Sequence, residues 1–362
     1  MAKQIKNMYE TLCSYENLHQ AYLNARKSKR YRDEVMKFSF NLEENLMDLR
    51  EELLNKTYSI GGYREFFVYE PKKRLIMALP FRDRVVQWAI YQLVNPIFDN
   101  MYIFDSYGCR VNKGTHKAVK RLHYWLKQVG NKDKKYYYLK LDVSKYFYRV
   151  DHKVLIDILR KRIADKNLLW LLETIINYDE ISFGLKLNGN VDNEEDRIKG
   201  KGMPIGNLTS QMFANLYLNE LDQYCKRTLG IHFYVRYMDD VIILSDDKKK
   251  LHEYKNLIQV FLEDKLKLNL NNKTAIRPIS LGVEFVGYRL WPTHVKIRKK
   301  TALKMKRRLK YVKKQFERKE LTLDKVNATV QSYMGILKHC NSYSLQCSIF
   351  DNYILKYNNE ER

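Results

Sequence analysis

The chain has 362 residues, 45% of them hydrophobic, which is enough apolar material for one large core or two to three small ones. The 66 Lys and Arg against 42 Asp and Glu leave a formal charge of +24, which points to polyanionic partners, nucleic acid first and an anionic membrane surface second. Cysteines at 13, 109, 225, 340 and 347 form no C-x-x-C pair and are odd in number, which excludes a disulfide framework or a zinc finger and fits a reducing cytoplasm. The start, MAKQIKNMYE, has no apolar signal core, and no run reaches the length of a bilayer span. The expectation is a soluble cytoplasmic protein with no membrane partner. The 28 Tyr offer flat rings on which bases can stack, although most aromatic side chains in any protein are core.

The chain has no internal repeat, low-complexity tract or Pro/Ser-rich linker, so its domains must pack directly on one another. From Lys135 the run KYYYLKLDVSKYF reads as a strand entering Asp142. Asp151 is placed to N-cap a helix carrying Val154, Leu155, Ile158 and Leu159. A second helix is predicted over 208 to 225, with Asn207 or Thr209 near its start. Two strands follow, IHFYVRY and VIILS, flanking a tight Met238-Asp239-Asp240 connection. Leu251, Tyr254, Ile258, Phe261 and Leu262 mark a third amphipathic helix, and KTAIRPI and GVEFVGYRLW read as further strands. This order predicts a ferredoxin-like antiparallel sheet with helices on one face. Such a sheet brings Asp142 beside Asp239 and Asp240.

Beyond Pro292 the composition becomes strongly basic. Ala302, Met305, Leu309, Val312 and Phe316 recur at helical spacing, with Lys and Arg around the rest of the helix, so one face packs and the other suits a nucleic-acid backbone. Thr322 and LDKVNATVQSYMGILKH predict a last helix.

Two or three converging Asp residues suit hard Mg²⁺, which keeps several of its waters. Two such ions about 4 Å apart can activate a 3′-hydroxyl and neutralise a triphosphate. Asp142 would bridge both ions, the carbonyl of Val143 would serve the nucleotide-side ion, Asp239 would complete the site, and Asp240 would be more peripheral. A lone Asp-Asp at a turn is ordinary turn chemistry. Here it sits between two apolar strands.

Tyr237-Met238-Asp239-Asp240 resembles the signature tetrapeptide of reverse transcriptases. FRDRVVQ from Phe81, DSYGCRVNKGTHKAV from Asp105, LKLDVSKYFYRVDH from Leu139, GMPIGNLTSQMFANLYLNELD from Gly202, LNNKTAI from Leu270 and VEFVGYRL from Val283 resemble the successive family blocks, in order. The resemblance spans roughly 60 to 290. It implies an α+β right-hand polymerase with fingers over 1–135 (with part of 164–200 returning to them), a ferredoxin-like palm over 136–290 and a basic helical thumb over 291–362.

It also implies an RNA-directed DNA polymerase using two Mg²⁺ ions, with Mn²⁺ as a substitute, and binding template RNA, an RNA/cDNA duplex and deoxynucleoside triphosphates. Phe147 matches the aromatic that excludes a 2′-hydroxyl; its other reading is core packing. Lys72, Lys73 and Arg74 match the cations of the fingers hairpin that face the triphosphate, and which lysine points inward is not legible. Arg82 is a further candidate, or one member of a surface Arg-Asp-Arg ion-pair cluster. Gly287 and Tyr288 match the turn that grips the primer end, Lys273 matches a basic residue of the block before it, and Tyr237 and Met238 match further positions along the primer and template.

The chain departs from the usual Gln-Gly and Ser-Pro of the block before the catalytic hairpin. It has Ile205-Gly206-Asn207-Leu208-Thr209-Ser210-Gln211, which resembles reverse transcriptases of diversity-generating retroelements. These copy a template RNA with errors concentrated at adenines and work with a small basic accessory protein. Ile205 lacks the donor and acceptor that a Gln there would offer the incoming nucleotide, and Gly206 and Gln211 belong to the same nucleotide-side block. The other reading of Ile205 is a drifted core residue. Rival functions are a retron or group II intron-type reverse transcriptase, a nucleotidyl cyclase, which needs no basic thumb, and an RNA-binding scaffold with a retired site. The sequence shows neither a Cys/His-rich endonuclease tail nor room for an RNase H domain.

Overall fold

A computed structural model describes residues 4–69, 73–351 and 353–356. At its centre is a four-stranded sheet in the order Tyr234–Tyr237, Asp240–Ser245, Tyr137–Asp142, Ala275–Pro278, antiparallel at every pairing. Leu139, Leu141, Val241, Ile243 and Tyr234 face the main core. There they meet the helices His152–Arg162, Leu208–Gln223 and Lys248–Leu266, and beyond these Tyr15–Ala25 and Phe81–Asp99. Asp151 N-caps the first of these, accepting from the N–H of Val154. Asn207 occupies the N-cap of the second but bonds through its side chain to the Tyr63 hydroxyl, and Gln87 Oε1 accepts from the N–H of Leu208 instead. That helix ends as an α-helix at Gln223 and continues as a wider π turn, Tyr224–Thr228.

Helices are not confined to one face of the sheet, as the ferredoxin-like reading expected. Tyr138, Val235, Ile242 and Leu244 face the other way and are covered by the helix Thr115–Gly130, through Val119, Leu122 and Trp125, and by a small three-stranded sheet. The reason lies in VIILS: its residues are apolar on both faces, so each face needs a cover.

The segment GVEFVGYRLW is two strands rather than one. Val286 (φ +40°) and Gly287 (φ +91°) reverse the chain between Val283–Phe285 and Tyr288–Leu290, and Val295–Ile297 completes that sheet. In the basic region, Lys299–Glu317 buries Met305, Leu309, Val312 and Phe316 against Leu323–Leu337, for which Thr322 is the N-cap. That second helix is not the last. Tyr343–Phe350 follows, and its Leu345, Ile349 and Phe350 pack on Met305, Leu309 and Leu337.

The strands Arg64–Val68 and Arg74–Ala78 form a separate hairpin whose Leu75 and Met77 pack with Tyr63 and Phe183. Arg197 forks onto Glu65 at 2.8 and 2.9 Å, tying residues near 180–198 to it. Among the described residues no helix is long and apolar enough to cross a membrane.

Candidate active site

The central sheet brings the three aspartates to one end. Asp142 stands opposite Asp240 in register, and Asp240 pairs on its other side with Tyr237, leaving Met238 and Asp239 as a two-residue turn. Directly opposed residues in an antiparallel pair lie about 4.5–5.5 Å apart between Cα atoms. By the alternation of the strands Asp142 and Asp240 share the face of Tyr138, Ile242 and Leu244.

Burial pushes the Asp239 carboxyl up to about 6, and the charges of Asp240 and Asp142 push in the same direction against the pull of Arg74. Lys140 Nζ lies 3.2 Å from Asp240 Oδ1, so this acid already has a cation beside it. The carbonyl of Asp142 accepts from the N–H of Asn271 at 2.7 Å, and the N–H of Ser144 donates to Asn269 at 2.9 Å. Val143, between them, is buried and bridges to Leu270.

Among the described residues no group of three or more His, Cys, Asp and Glu side chains closes around a metal ion. The donor set nevertheless suits Mg²⁺, which takes one or two carboxylates and fills the rest of its shell with water and phosphate oxygens. Burial first, and the neighbouring Asp240 and Asp142 charges after it, raise Asp239, and a divalent cation would relieve both by stabilising the ionised carboxylate.

The turn of Met238 and Asp239 rests on residues to which the sequence alone assigns no role. Met238 is held at φ +53°, a left-handed conformation disfavoured for a non-glycine residue. Beneath it Arg236, fully buried, donates from Nη1 to the Met238 carbonyl at 3.1 Å. Its Nε and Nη2 fork onto Asp222, also fully buried, at 2.7 and 2.6 Å. Asn215 links this network to the carbonyl of Gly108. A Cβ on Gly108 would lie 2.7 Å from the Met238 nitrogen and sulfur. The sequence signal was present: an Arg at an inward position of an apolar strand requires a buried acid.

Arg74 opens the strand Arg74–Ala78, and its charge is felt at Asp239. Lys73 pairs with Asp192 and lies 4.4 Å over the Phe67 ring. Lys72 lies outside the described residues. Arg82 pairs with Glu52, Arg84 with Glu34, and Asp83 accepts from the Tyr58 hydroxyl, so the Arg-Asp-Arg trio knits the helix Phe81–Asp99 to residues 34–58.

Ile205 is half-buried, and its carbonyl accepts from the N–H of Met77 at 3.1 Å, joining this turn to the strand of Arg74. Gly206 has φ +121°, and a Cβ there would meet Ile76 Cγ2 at 3.1 Å. The carbonyl of Phe147 accepts from the N–H of Met203 at 2.7 Å, while its ring packs half-buried beside Tyr146. Gln211 is exposed in the first turn of Leu208–Gln223, and Lys273 is exposed in the turn before Ala275–Pro278. Tyr237 accepts from Thr115 Oγ1 at 3.2 Å. Tyr288 is buried, and its hydroxyl donates to the Ile336 carbonyl at 3.1 Å, joining the hairpin to the basic helices.

Residues 69–290 match the family described as reverse transcriptase (RNA-dependent DNA polymerase). Protein YkfC of Escherichia coli (strain K12) is 28% identical over 284 residues, covering 69% of this chain and 72% of YkfC. The group II intron-encoded protein LtrA of Lactococcus lactis subsp. cremoris is 21% identical over 312 residues, 68% of this chain and 49% of LtrA. The chain thus spans most of YkfC but about half of the intron protein. A structure of telomerase from Candida albicans with a fragment of telomeric RNA aligns with 84% of this chain and 61% of that one, at 12% identity and a TM-score of 0.47. The family match covers more than half of the chain, which belongs to the reverse transcriptases, the RNA-dependent DNA polymerases.

Proposed function

We propose that this chain copies a template RNA into cDNA by metal-dependent nucleotidyl transfer, with errors concentrated at template adenines. The observation carrying the polymerase reading is the register that sets Asp142 opposite Asp240, with Asp239 in the adjoining turn. Asp142 and Asp239, with the carbonyl of Val143, would hold two Mg²⁺ ions, or Mn²⁺ in their place; Asp240, beside Lys140, is peripheral. When bound, such ions would lower the pKa of the primer 3′-hydroxyl and neutralise charge on the triphosphate.

The chain's own residues then bind and orient. Arg74 presents a planar guanidinium to the triphosphate from the side of Asp239. Phe147 closes the space at the sugar and so selects deoxynucleotides. Tyr237, Met238 and Gly287 line the primer end, and Lys273 supplies charge along the duplex. The basic face of Lys299–Glu317 follows the phosphate backbone. In this reading residues 1–135 with part of 164–200 act as fingers, 136–290 as palm and 291–362 as thumb.

The adenine errors rest on Ile205. Its carbonyl accepts from the N–H of Met77, beside the strand of Arg74, and by the resemblance its aliphatic side chain replaces the amide that most of the family offers to the nascent pair. Without that donor and acceptor, base-pair geometry is less strictly enforced. The choice of adenine comes from the resemblance to diversity-generating retroelements, as do the partners: an RNA of the same element and a small basic accessory protein. A second reading, a group II intron-type enzyme that copies evenly, is favoured by the likeness to LtrA.

Sequencing cDNA made on a primed RNA containing all four bases separates the two. Errors clustered opposite adenine, reduced by Ile205→Gln, support the first. Evenly scattered errors support the second.

A further inference from the structure

The catalytic turn is held in an unfavourable conformation by a charge pair that has no exposure to solvent. Arg236 and Asp222 are both fully buried, and the Arg236 guanidinium is held by directional hydrogen bonds. Two nitrogens fork onto Asp222, and Nη1 reaches both Asn215 Oδ1 at 3.3 Å and the Met238 carbonyl at 3.1 Å. Its backbone is fixed as well: its N–H donates to the Asp105 carbonyl, and its own carbonyl accepts from the N–H of Tyr107, both at 2.9 Å. Tyr234, one alternation earlier, donates to the same Asp222 at 2.6 Å.

Burying an ion pair contributes little to stability, because desolvation offsets the attraction, and apolar side chains of similar volume often do as well. What this pair supplies and apolar residues would not is a fixed donor aimed at one peptide oxygen. That oxygen belongs to Met238, at φ +53°, and the next residue is Asp239. We propose that Arg236, oriented by Asp222, is a positioning residue: it fixes the Met238 peptide and so sets where the Asp239 carboxylate points, without touching nucleotide or metal.

The inference rests on the reading of Asp239 as a metal-holding carboxylate, and it extends the site inward to four residues, Arg236, Asp222, Asn215 and Gly108. Lys at 236 keeps the charge but replaces a rigid fork by a single flexible ammonium. It can neutralise Asp222 or reach the Met238 carbonyl, but not hold both in one geometry. Misplacing a reacting group by about 1 Å costs on the order of 100-fold in rate.

The test compares wild type, Arg236→Lys and Asp222→Asn in two assays, Mn²⁺ affinity by electron paramagnetic resonance without nucleic acid and primer extension on RNA with varied Mg²⁺. Circular dichroism and primer–template affinity are measured alongside. The expected result for Arg236→Lys is about tenfold weaker Mn²⁺ binding, a 10- to 100-fold lower kcat and a higher Mg²⁺ requirement, with primer–template affinity unchanged. Asp222→Asn should show the same changes at smaller size, and it decides the matter if Arg236→Lys does not fold. Wild-type Mn²⁺ affinity and Mg²⁺ dependence in a folded variant would overturn the proposal. Failure of the parent reading looks different: the wild-type chain itself would then neither extend a primer nor bind Mn²⁺ through Asp239.

Discussion

The turns at Met238-Asp239 and Val286-Gly287 both reverse the chain in two residues, and both place a bulky residue at positive φ, +53° for Met238 and +40° for Val286. They are held in different ways. Under the first lie a buried Arg236–Asp222 pair and a glycine, Gly108, packed against the Met238 backbone. The second is held by the adjoining backbone, with the N–H of Arg298 donating to the Gly287 carbonyl at 3.0 Å, and by the Tyr288 hydroxyl reaching the Ile336 carbonyl. The turn that, on the proposed reading, aims a carboxylate is fixed from below by side chains of several elements. The turn that, on the same reading, only presents backbone is fixed by its neighbour in the ladder and one tyrosine, with no ion pair beneath it among the described residues.

The largest effect that would break this contrast is expected at Gly108. Gly108→Ala places a methyl 2.7 Å from the Met238 nitrogen, so the Gly108 loop and the Met238-Asp239 turn can no longer keep their present approach. We expect a kcat loss on the order of 100-fold with near-normal RNA affinity. A wild-type rate would mean that the turn is not held from this side.

The next concerns the charge that the first turn carries. Asp239 has a native pKa near 6, raised first by burial and then by Asp240 and Asp142, against about 3.9 when unfolded. Between these values the native state binds more protons than the unfolded one, so the metal-free protein loses stability as pH rises from about 4 to 6, and the penalty is complete above that. Asp239→Asn should therefore stabilise the metal-free chain at pH 8 by roughly 1–3 kcal/mol, read as a higher Tm. Mg²⁺ should raise the Tm of the wild type more at pH 8 than at pH 5, and that of the variant much less. Equal responses in the two proteins would remove Asp239 from the metal site.

Smaller effects sharpen the second turn. Tyr288→Phe removes a bond to Ile336 and should cost about 1 kcal/mol, seen in chemical denaturation. Val286→Gly relieves a left-handed valine, worth about 1 kcal/mol, against the loss of a half-buried side chain. We expect a net change within about 0.5 kcal/mol and unaltered kcat; a large loss of rate would give this turn the precision that the contrast reserves for the other.

Much of this architecture is legible in local pattern. The apolar stripe Met305, Leu309, Val312 and Phe316, the Asp151 cap and the acidic turn between two apolar strands are short-range features, and the structure forms each of them. What the pattern does not carry is long-range pairing. Nothing local matches Arg236 to Asp222, joins Ile205 to Met77, or puts Thr115–Gly130 on the second face of the sheet. A strand reading of GVEFVGYRLW fails for the same kind of reason. Its composition is β-rich throughout and hides the reversal; only the resemblance put a turn at Gly287 and Tyr288, and the structure turns the chain at Val286 and Gly287 by pairing the two halves.

The most direct test of the central claim is deoxynucleotide incorporation on a primed RNA by the wild-type chain and by Asp239→Asn, each in Mg²⁺, with RNA binding measured in parallel. The account predicts extension by the wild type, none by the variant, and equal binding by both. Extension that survives in the variant, or a wild type that binds RNA but never extends the primer, would contradict it.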